Sequence, residues 1–234
     1  MVASDLTCDV VVVGAGGAGL AAAIEARRAG ADVVLLEKNP APGGSTAWSV
    51  GSVTASGSSH QARAGVADDP VAHWRDMAAF NGDLEPRDNP SLRRVLADAM
   101  PETMEWLEAQ GLRFFGPMPE PPHTRPRMHT VLPNAGAYIV HLGRTARRLG
   151  VRVATQMRAV ALVQEGGGSG GRVVAVDCEP PDGPVRHRAR RAVVLATGDF
   201  TNDPELKGRF MGPREARVPG VNETATGDGQ KLAL

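Results

Sequence analysis

The sequence predicts an α/β fold with a central parallel sheet, a small β-meander and a helical insertion. Three observations carry that expectation. Residues 9–38 read as strand, glycine turn, helix, strand and closing acid. From residue 60 to 112 the apolar period becomes helical. Strand-like segments at 151–164, 172–179 and 185–196 then lead back toward the main sheet.

Val10 to Val13 are continuously apolar and β-branched, as a strand covered on both faces requires. Gly14, Gly16 and Gly19 follow at GxGxxG spacing. The first allows a tight turn, the second lets the backbone approach a pyrophosphate, and the third lets the helix pack closely on the strand. The helix that opens through Gly17 and Ala18 runs to Gly30, with its positive dipole end and free N–H groups facing the phosphates. Val33 to Leu36 form the second strand, and Glu37 stands at its carboxyl end. There a carboxylate accepts hydrogen bonds from both hydroxyls of an adenosine ribose and repels a 2′-phosphate. A GxGxxG alone occurs in many loops, but here strand, helix, second strand and acid fall at the intervals of a Rossmann-like dinucleotide site. A βαβ unit serving only packing leaves Glu37 unexplained. FAD and NAD share this first unit, so it does not choose between them.

Four stretches bear on that choice: GAGGAGLAAA at 14–23, EKNPAPGGSTAWSVGS at 37–52, VVLATGDF at 193–200 and NETATGDGQKLA at 222–233. In them the sequence resembles the FAD-dependent fumarate reductase and 3-ketosteroid dehydrogenase flavoproteins, and the order and spacing of the four pieces match from end to end. The resemblance implies that Lys38 and the loop of Gly43, Gly44, Ser45, Thr46 and Gly51 reach the pyrophosphate and pass the flavin ring. Small hydroxyl residues among glycines can bring donors onto phosphate and ribityl oxygens without steric conflict, although GGSTAWS alone also reads as a flexible loop. It further implies that Asp228 reaches the flavin side chain, with an ordinary helix N-cap as the other reading of that residue. Ala159 falls where the resembling proteins touch the adenine through the backbone. Ala196, Thr197 and Gly198 end a strand at the carboxyl edge of the sheet, where ligands of such sheets collect. At the next position the family usually has glycine and this sequence has Asp199, a carboxylate that must find a partner or face solvent. Relatives that attach FAD covalently carry a histidine where Ser45 stands, so noncovalent FAD is implied. Trp48 beside this loop either stacks near the ring or fills core.

The resemblance implies hydride transfer through flavin N5 to or from a carbon–carbon bond next to an activating group. It covers nearly the whole sequence but only the front of the family. The capping domain and the return segment, with their substrate-binding and proton-transfer groups, have no counterpart in it, so no catalytic residue is assigned. The expected organisation is one incomplete FAD-binding domain over 1–234 with a helical excursion at about 60–133, truncated or completed by a second chain. A non-catalytic FAD-binding fragment and an NAD-dependent dehydrogenase are the alternatives, and the substrate is a small molecule.

At 234 residues the chain can bury a full core, and 26 Lys and Arg balance 26 Asp and Glu. That balance argues against nucleic acid or an anionic membrane as main partner, both of which call for a concentrated basic surface. Arg147, Arg148, Arg186, Arg188, Arg190 and Arg191 read as solvated faces. Cys8 and Cys178, far apart and outside any CxxC, indicate neither a disulfide framework nor a metal site. With no cationic leader and only a short first apolar run, the expectation is a cytoplasmic protein without a membrane span.

Asp69 with Pro70, and Asn89 with Pro90, each predict a helix start. Val71, Trp74 and Ala78 form the expected core face of the first helix, and Leu92, Val95, Leu96 and Ala99 that of the second. Pro101 is expected to restart a third helix carrying Met104 and Leu107 to Gly111. Residues 113–133, dense in proline, predict an irregular loop, and His123 and His129, on either side of its Pro/Arg-rich part, read as surface residues. Asn134 predicts a further helix with Ile139, Leu142, Ala146 and Leu149 aligned, and 166–171 joins two strands.

Overall fold

The computed structural model of the protein describes residues 5–167 and 170–234, so part of the 166–171 connection lies outside the described residues. The chain begins β1 (Asp5–Val13), α1 (Gly17–Arg28), β2 (Val33–Leu36) and α2 (Gly44–Trp48). It continues with β3 (Ser52–Thr54), α3 (Ser59–Arg63), α4 (Pro70–Ala78), α5 (Pro90–Ala109), β4 (Arg113–Met118) and β5 (Met128–Leu132). The last part comprises α6 (Gly136–Arg148), β6 (Arg152–Ala154), β7 (Arg158–Gln164), β8 (Val173–Glu179), β9 (Val185–Leu195), α7 (Pro204–Phe210) and α8 (Asp228–Ala233). Two compact units result, one from residues up to Trp48 with Tyr138–Leu234, the other from Ser49–Ala137.

The first unit is built on a six-stranded sheet of order β6-β2-β1-β9-β8-β7. Strands β6, β2, β1 and β9 run parallel, and β8 and β7 continue antiparallel. The expected meander is therefore no separate small sheet. The eleven residues of β9 pair with β1 on one edge and with β8 on the other, which fuses the meander to the parallel core. All four residues of β2 are buried, as its unbroken apolar run requires. Leu20, Ala23 and Ile24 of α1 are fully buried, each large side chain contributing roughly 1.5–3 kcal/mol on burial. Cys8 and Cys178 are both free thiols within one buried cluster, and burial pushes the Cys178 thiol up to about 12. On α6, Leu142 and Ala146 are buried as the periodicity predicts.

The second unit holds an antiparallel sheet of order β3-β5-β4 together with α3, α4 and α5. The predicted caps form: Asp69 accepts from the Val71 and Ala72 amides at 2.8 and 2.9 Å, and Asn89 from those of Ser91 and Leu92 at 3.1 Å. Five expectations fail. Residues 113–133 are not an irregular loop, because Phe114 and Val131 face inward across a β4–β5 pair while Phe115 faces out. That two-residue alternation overrides the prolines, which are confined to the connection, to a register irregularity between Phe115 and Met118, and to Pro133 just beyond β5. Pro101 starts no new helix, since α5 runs through it; one lost backbone hydrogen bond is outweighed by the burial of Met100, Met104 and Leu107 on either side.

The core face of α5 is also rotated from the apolar stripe. Leu92, Val95 and Leu96 are 66%, 65% and 49% exposed, whereas Arg93 and Ala97 are buried with Met100. Arg93 is accommodated because Asp88 and Glu85 pair with it at 2.7 and 3.1 Å and its guanidinium lies over the Trp74 ring. On α4 the buried residue is His73, and Val71 is exposed. His129 is no surface residue either. It is fully buried, with Nδ1 2.6 Å from the Arg127 carbonyl and Nε2 2.9 Å from the Ser58 hydroxyl. Arg127 itself is fully buried and clamped by Asp68 at 2.7 Å and Asp76 at 2.5 Å.

Candidate dinucleotide site

In the first unit β1 ends between β2 and β9, and the turn that follows has no room for a side chain at two of its glycines. A Cβ on Gly14, at φ +101°, would lie 2.4 Å from the Ala196 carbonyl oxygen. One on Gly19 would lie 1.7 Å from the Gly14 carbonyl oxygen, so α1 must start against the strand end with glycine there. The N-cap of α1 is Gly16, which brings no side chain over the helix start. The Gly17 amide donates to Thr46 Oγ1 at 3.0 Å and the Gly43 amide to the Ala15 carbonyl at 3.1 Å, which fastens the glycine–serine segment alongside the turn. That segment is more regular than a flexible loop, since Gly44–Trp48 form the single helical turn α2.

Glu37 is only 5% exposed. Its Oε2 accepts from the Ala15 amide at 2.8 Å and its Oε1 from the Asn39 amide at 2.9 Å. Each oxygen keeps a further acceptor position, so the anchored carboxylate can still receive hydroxyl donors. Lys38 turns to the far wall, donating to Thr226 Oγ1 at 2.8 Å and Asp228 Oδ2 at 3.1 Å. Burial acts to raise the Asp228 carboxyl, but the Thr226 hydroxyl and the Lys38 ammonium outweigh it and hold the group below the ordinary carboxylate value. The helix cap at this place is Gly227, at φ +65°, and Asp228 is the first helical residue rather than the N-cap. A Cβ on Gly229 would meet Thr197 Oγ1 at 2.0 Å, and Gln230 Nε2 donates to the Gly198 carbonyl at 2.9 Å, so α8 begins directly on the end of β9.

These segments enclose a cavity of about 430 Å³. Of the residues singled out from sequence, Gly14, Gly16, Gly17, Ala18, Glu37, Lys38, Gly44, Ser45, Thr46, Ala159, Ala196, Thr197, Gly198 and Asp228 line it. Gly19 and Gly43 support the wall from behind. Gly51 belongs to the second unit, where a Cβ would press on Val131, and it does not line the cavity. Trp48 is 67% exposed and does not line it either. Asp199 has found partners. Ser45 Oγ donates to its Oδ2 at 3.1 Å, and the Thr201 amide and hydroxyl donate to its Oδ1 at 2.9 and 2.6 Å. Asn39, Met157, Asn222, Thr224 and Gln230 also line the cavity without having been singled out. Of these all but Met157 stood in a motif already quoted, Asn39 in EKNPAPGGSTAWSVGS and Asn222, Thr224 and Gln230 in NETATGDGQKLA.

Tight glycine turn, helix N-terminus opened by a glycine cap, anchored ribose-type acid and hydroxyl-bearing wall suit a dinucleotide. Residues 9–234 match the FAD binding domain family. This chain belongs to that family. It is 30% identical over 233 residues to a probable fumarate reductase of Shewanella frigidimarina, covering 97% of this chain and 38% of that protein. It is 32% identical to a urocanate reductase of Eggerthella lenta, covering 96% and 37%. Among solved structures, the 3-ketosteroid-Δ4-(5α)-dehydrogenase of Rhodococcus jostii RHA1, in complex with 4-androstene-3,17-dione, superposes with a TM-score of 0.85 at 31% identity, covering 97% of this chain and 53% of that one. The chain spans 24% to 45% of the length of the curated relatives it matches. The cofactor is FAD, and the relatives are oxidoreductases. Among the described residues no helix is long and apolar enough to cross a membrane.

Proposed function

We infer that the chain holds FAD noncovalently and serves as the cofactor-binding part of an oxidoreductase acting on a carbon–carbon bond beside an activating group. The observation that carries this reading is the glycine turn and the anchored Glu37 carboxylate in the wall of one cavity; Ser45, bonded to Asp199 and Asn222 at 3.1 Å, stands there in place of the histidine by which resembling proteins attach FAD covalently. Bound FAD supplies a flavin N5 able to take up or release a hydride. The chain's own residues bind and orient: Glu37 takes the ribose hydroxyls, Gly16, Gly17 and Ala18 at the start of α1 take the pyrophosphate, and Thr46 and the residues at the end of β9 support what lies beyond. Lys38 and Asp228 cross-link β2 to α8 and close the far side. Substrate recognition and proton transfer belong to polypeptide beyond the matched span, on the same chain or on a second one, and the small-molecule substrate is of the kind the reductase and dehydrogenase relatives act on. A reducing, cytoplasmic setting suits the two buried free thiols.

An absorption spectrum before and after adding FAD, followed by desalting and acid treatment, tests the reading. Flavin that survives desalting and is released by acid supports it. Flavin that stays with the acid precipitate overturns the noncovalent form. Glu37→Gln should weaken FAD binding by about tenfold or more, because it removes a charged acceptor of hydrogen bonds. Equal displacement of FAD by NADH would favour an NAD site instead.

A further inference from the structure

We propose that Asp199 sets the reduction potential of the FAD held in this cavity, its fixed negative charge lying at the flavin end and opposing reduction. The inference rests on the FAD-binding reading. It goes beyond it by assigning a role to a residue that the dinucleotide pattern does not require.

The order of strands orients the cofactor. Glu37 closes β2 on one side of β1, and Asp199 follows β9 on the other. Neighbouring strands stand about 4.8 Å apart, so the ends of β2 and β9 are roughly 10 Å from each other with the glycine turn between them. A dinucleotide with its adenosine ribose on Glu37 and its pyrophosphate on the glycine turn delivers its second half to the end of β9. Asp199 lines the cavity there.

The carboxylate cannot swing away. Ser45 holds one oxygen, Thr201 holds the other through both amide and hydroxyl, and Asn222 Nδ2 donates to Ser45 Oγ at 3.1 Å from the opposite wall. All of these donors are neutral dipoles, which fix the charge in place without cancelling it. Burial acts to raise the Asp199 carboxyl, but the Thr201 and Ser45 bonds outweigh it, so the group is ionised at neutral pH. Two-electron reduction loads the flavin ring with electron density, and a fixed anion in the wall at that end of the cavity disfavours that change.

The test is a spectroelectrochemical titration of the FAD-loaded chain against a reference dye, which reads the cofactor and needs no turnover. Asp199→Asn, which keeps the shape and can still accept from Ser45, should shift the oxidised-to-reduced ratio at a given potential by about tenfold toward the reduced form, or ~30 mV for a two-electron couple. Asp199→Glu, which keeps the charge, should titrate close to the wild type. Asp199→Gly, the residue at this place in the resembling flavoproteins, is a second charge-removing variant and should move the same way. Charge-removing variants that bind FAD and titrate with the wild type overturn the proposal while leaving FAD binding intact. A wild-type chain that takes up no FAD overturns both.

Discussion

At the scale of single residues, the glycine fingerprint is enforced by backbone carbonyls, one from the end of β9 and one from the fingerprint itself. The sequence assigned Gly14, Gly16 and Gly19 to turn, approach and packing, and the contacts that forbid a side chain at Gly14 and Gly19 are the Ala196 and Gly14 carbonyls. Gly19→Ala forces an overlap that no rotamer relieves, and should cost about 3 kcal/mol or more in a urea titration. Gly229 offers a cleaner experiment, because its nearest obstacle is a side chain, Thr197 Oγ1. Gly229→Ala should destabilise the chain, and combining it with Thr197→Ala should restore part of the loss, with a coupling of roughly 1–3 kcal/mol in the double-mutant cycle. Strict additivity would show that the two do not meet. Glu37 was legible because an acid closing the second strand has few other reasons to be there. Asn222 and Gln230 were not, since each acts through a partner far away in sequence, Ser45 and Gly198, that no local pattern reveals.

Helices and strands were legible where a cap or an unbroken run marks them, and less so where burial decides. Both caps that stand before a proline form as expected, yet the apolar stripe of α5 lies outside and a face about a quarter-turn round, with Arg93 in it, is buried. Hydrophobicity alone could not place that face, because an arginine with two carboxylates and an indole to hand is as well accommodated as a leucine. Leu96→Gln should therefore change stability by less than about 0.5 kcal/mol, and Met104→Ala should cost roughly 2–5 kcal/mol. Comparable losses would restore the stripe to the core. On α4, burial holds His73 at about 4, with the nearby Arg127 charge adding to the effect. The folded state keeps it neutral, while the unfolded chain protonates it near the ordinary value of about 6.5. Its contribution is complete above that pH and is lost as pH falls from about 6.5 toward 4. Urea unfolding at pH 7 and pH 4.5 should differ by about 2 kcal/mol more in the wild type than in His73→Gln. Asp76, held down at about 2, titrates below that window.

For the molecule as a whole, the fold class was readable because β1, α1 and β2 follow each other without interruption, whereas the union of β9 with both β1 and β8 is a long-range pairing. FAD at a hundred times its dissociation constant should raise the unfolding free energy by about 2.7 kcal/mol, seen as a concentration-dependent rise in melting temperature. A melting temperature indifferent to FAD would mean that the folded chain does not bind it. The walls of the cavity are drawn from residues 13–46 and again from 157–233, with the second unit encoded between them. On a ribosome, therefore, the inserted unit is written out whole while its host is still half-made. At about 5–20 residues per second, the first glycines wait on the order of 10–40 s for α8 to be synthesised. Until then the nascent polypeptide has the phosphate turn but not the wall that faces it, so loading with flavin is a late event in the birth of this protein.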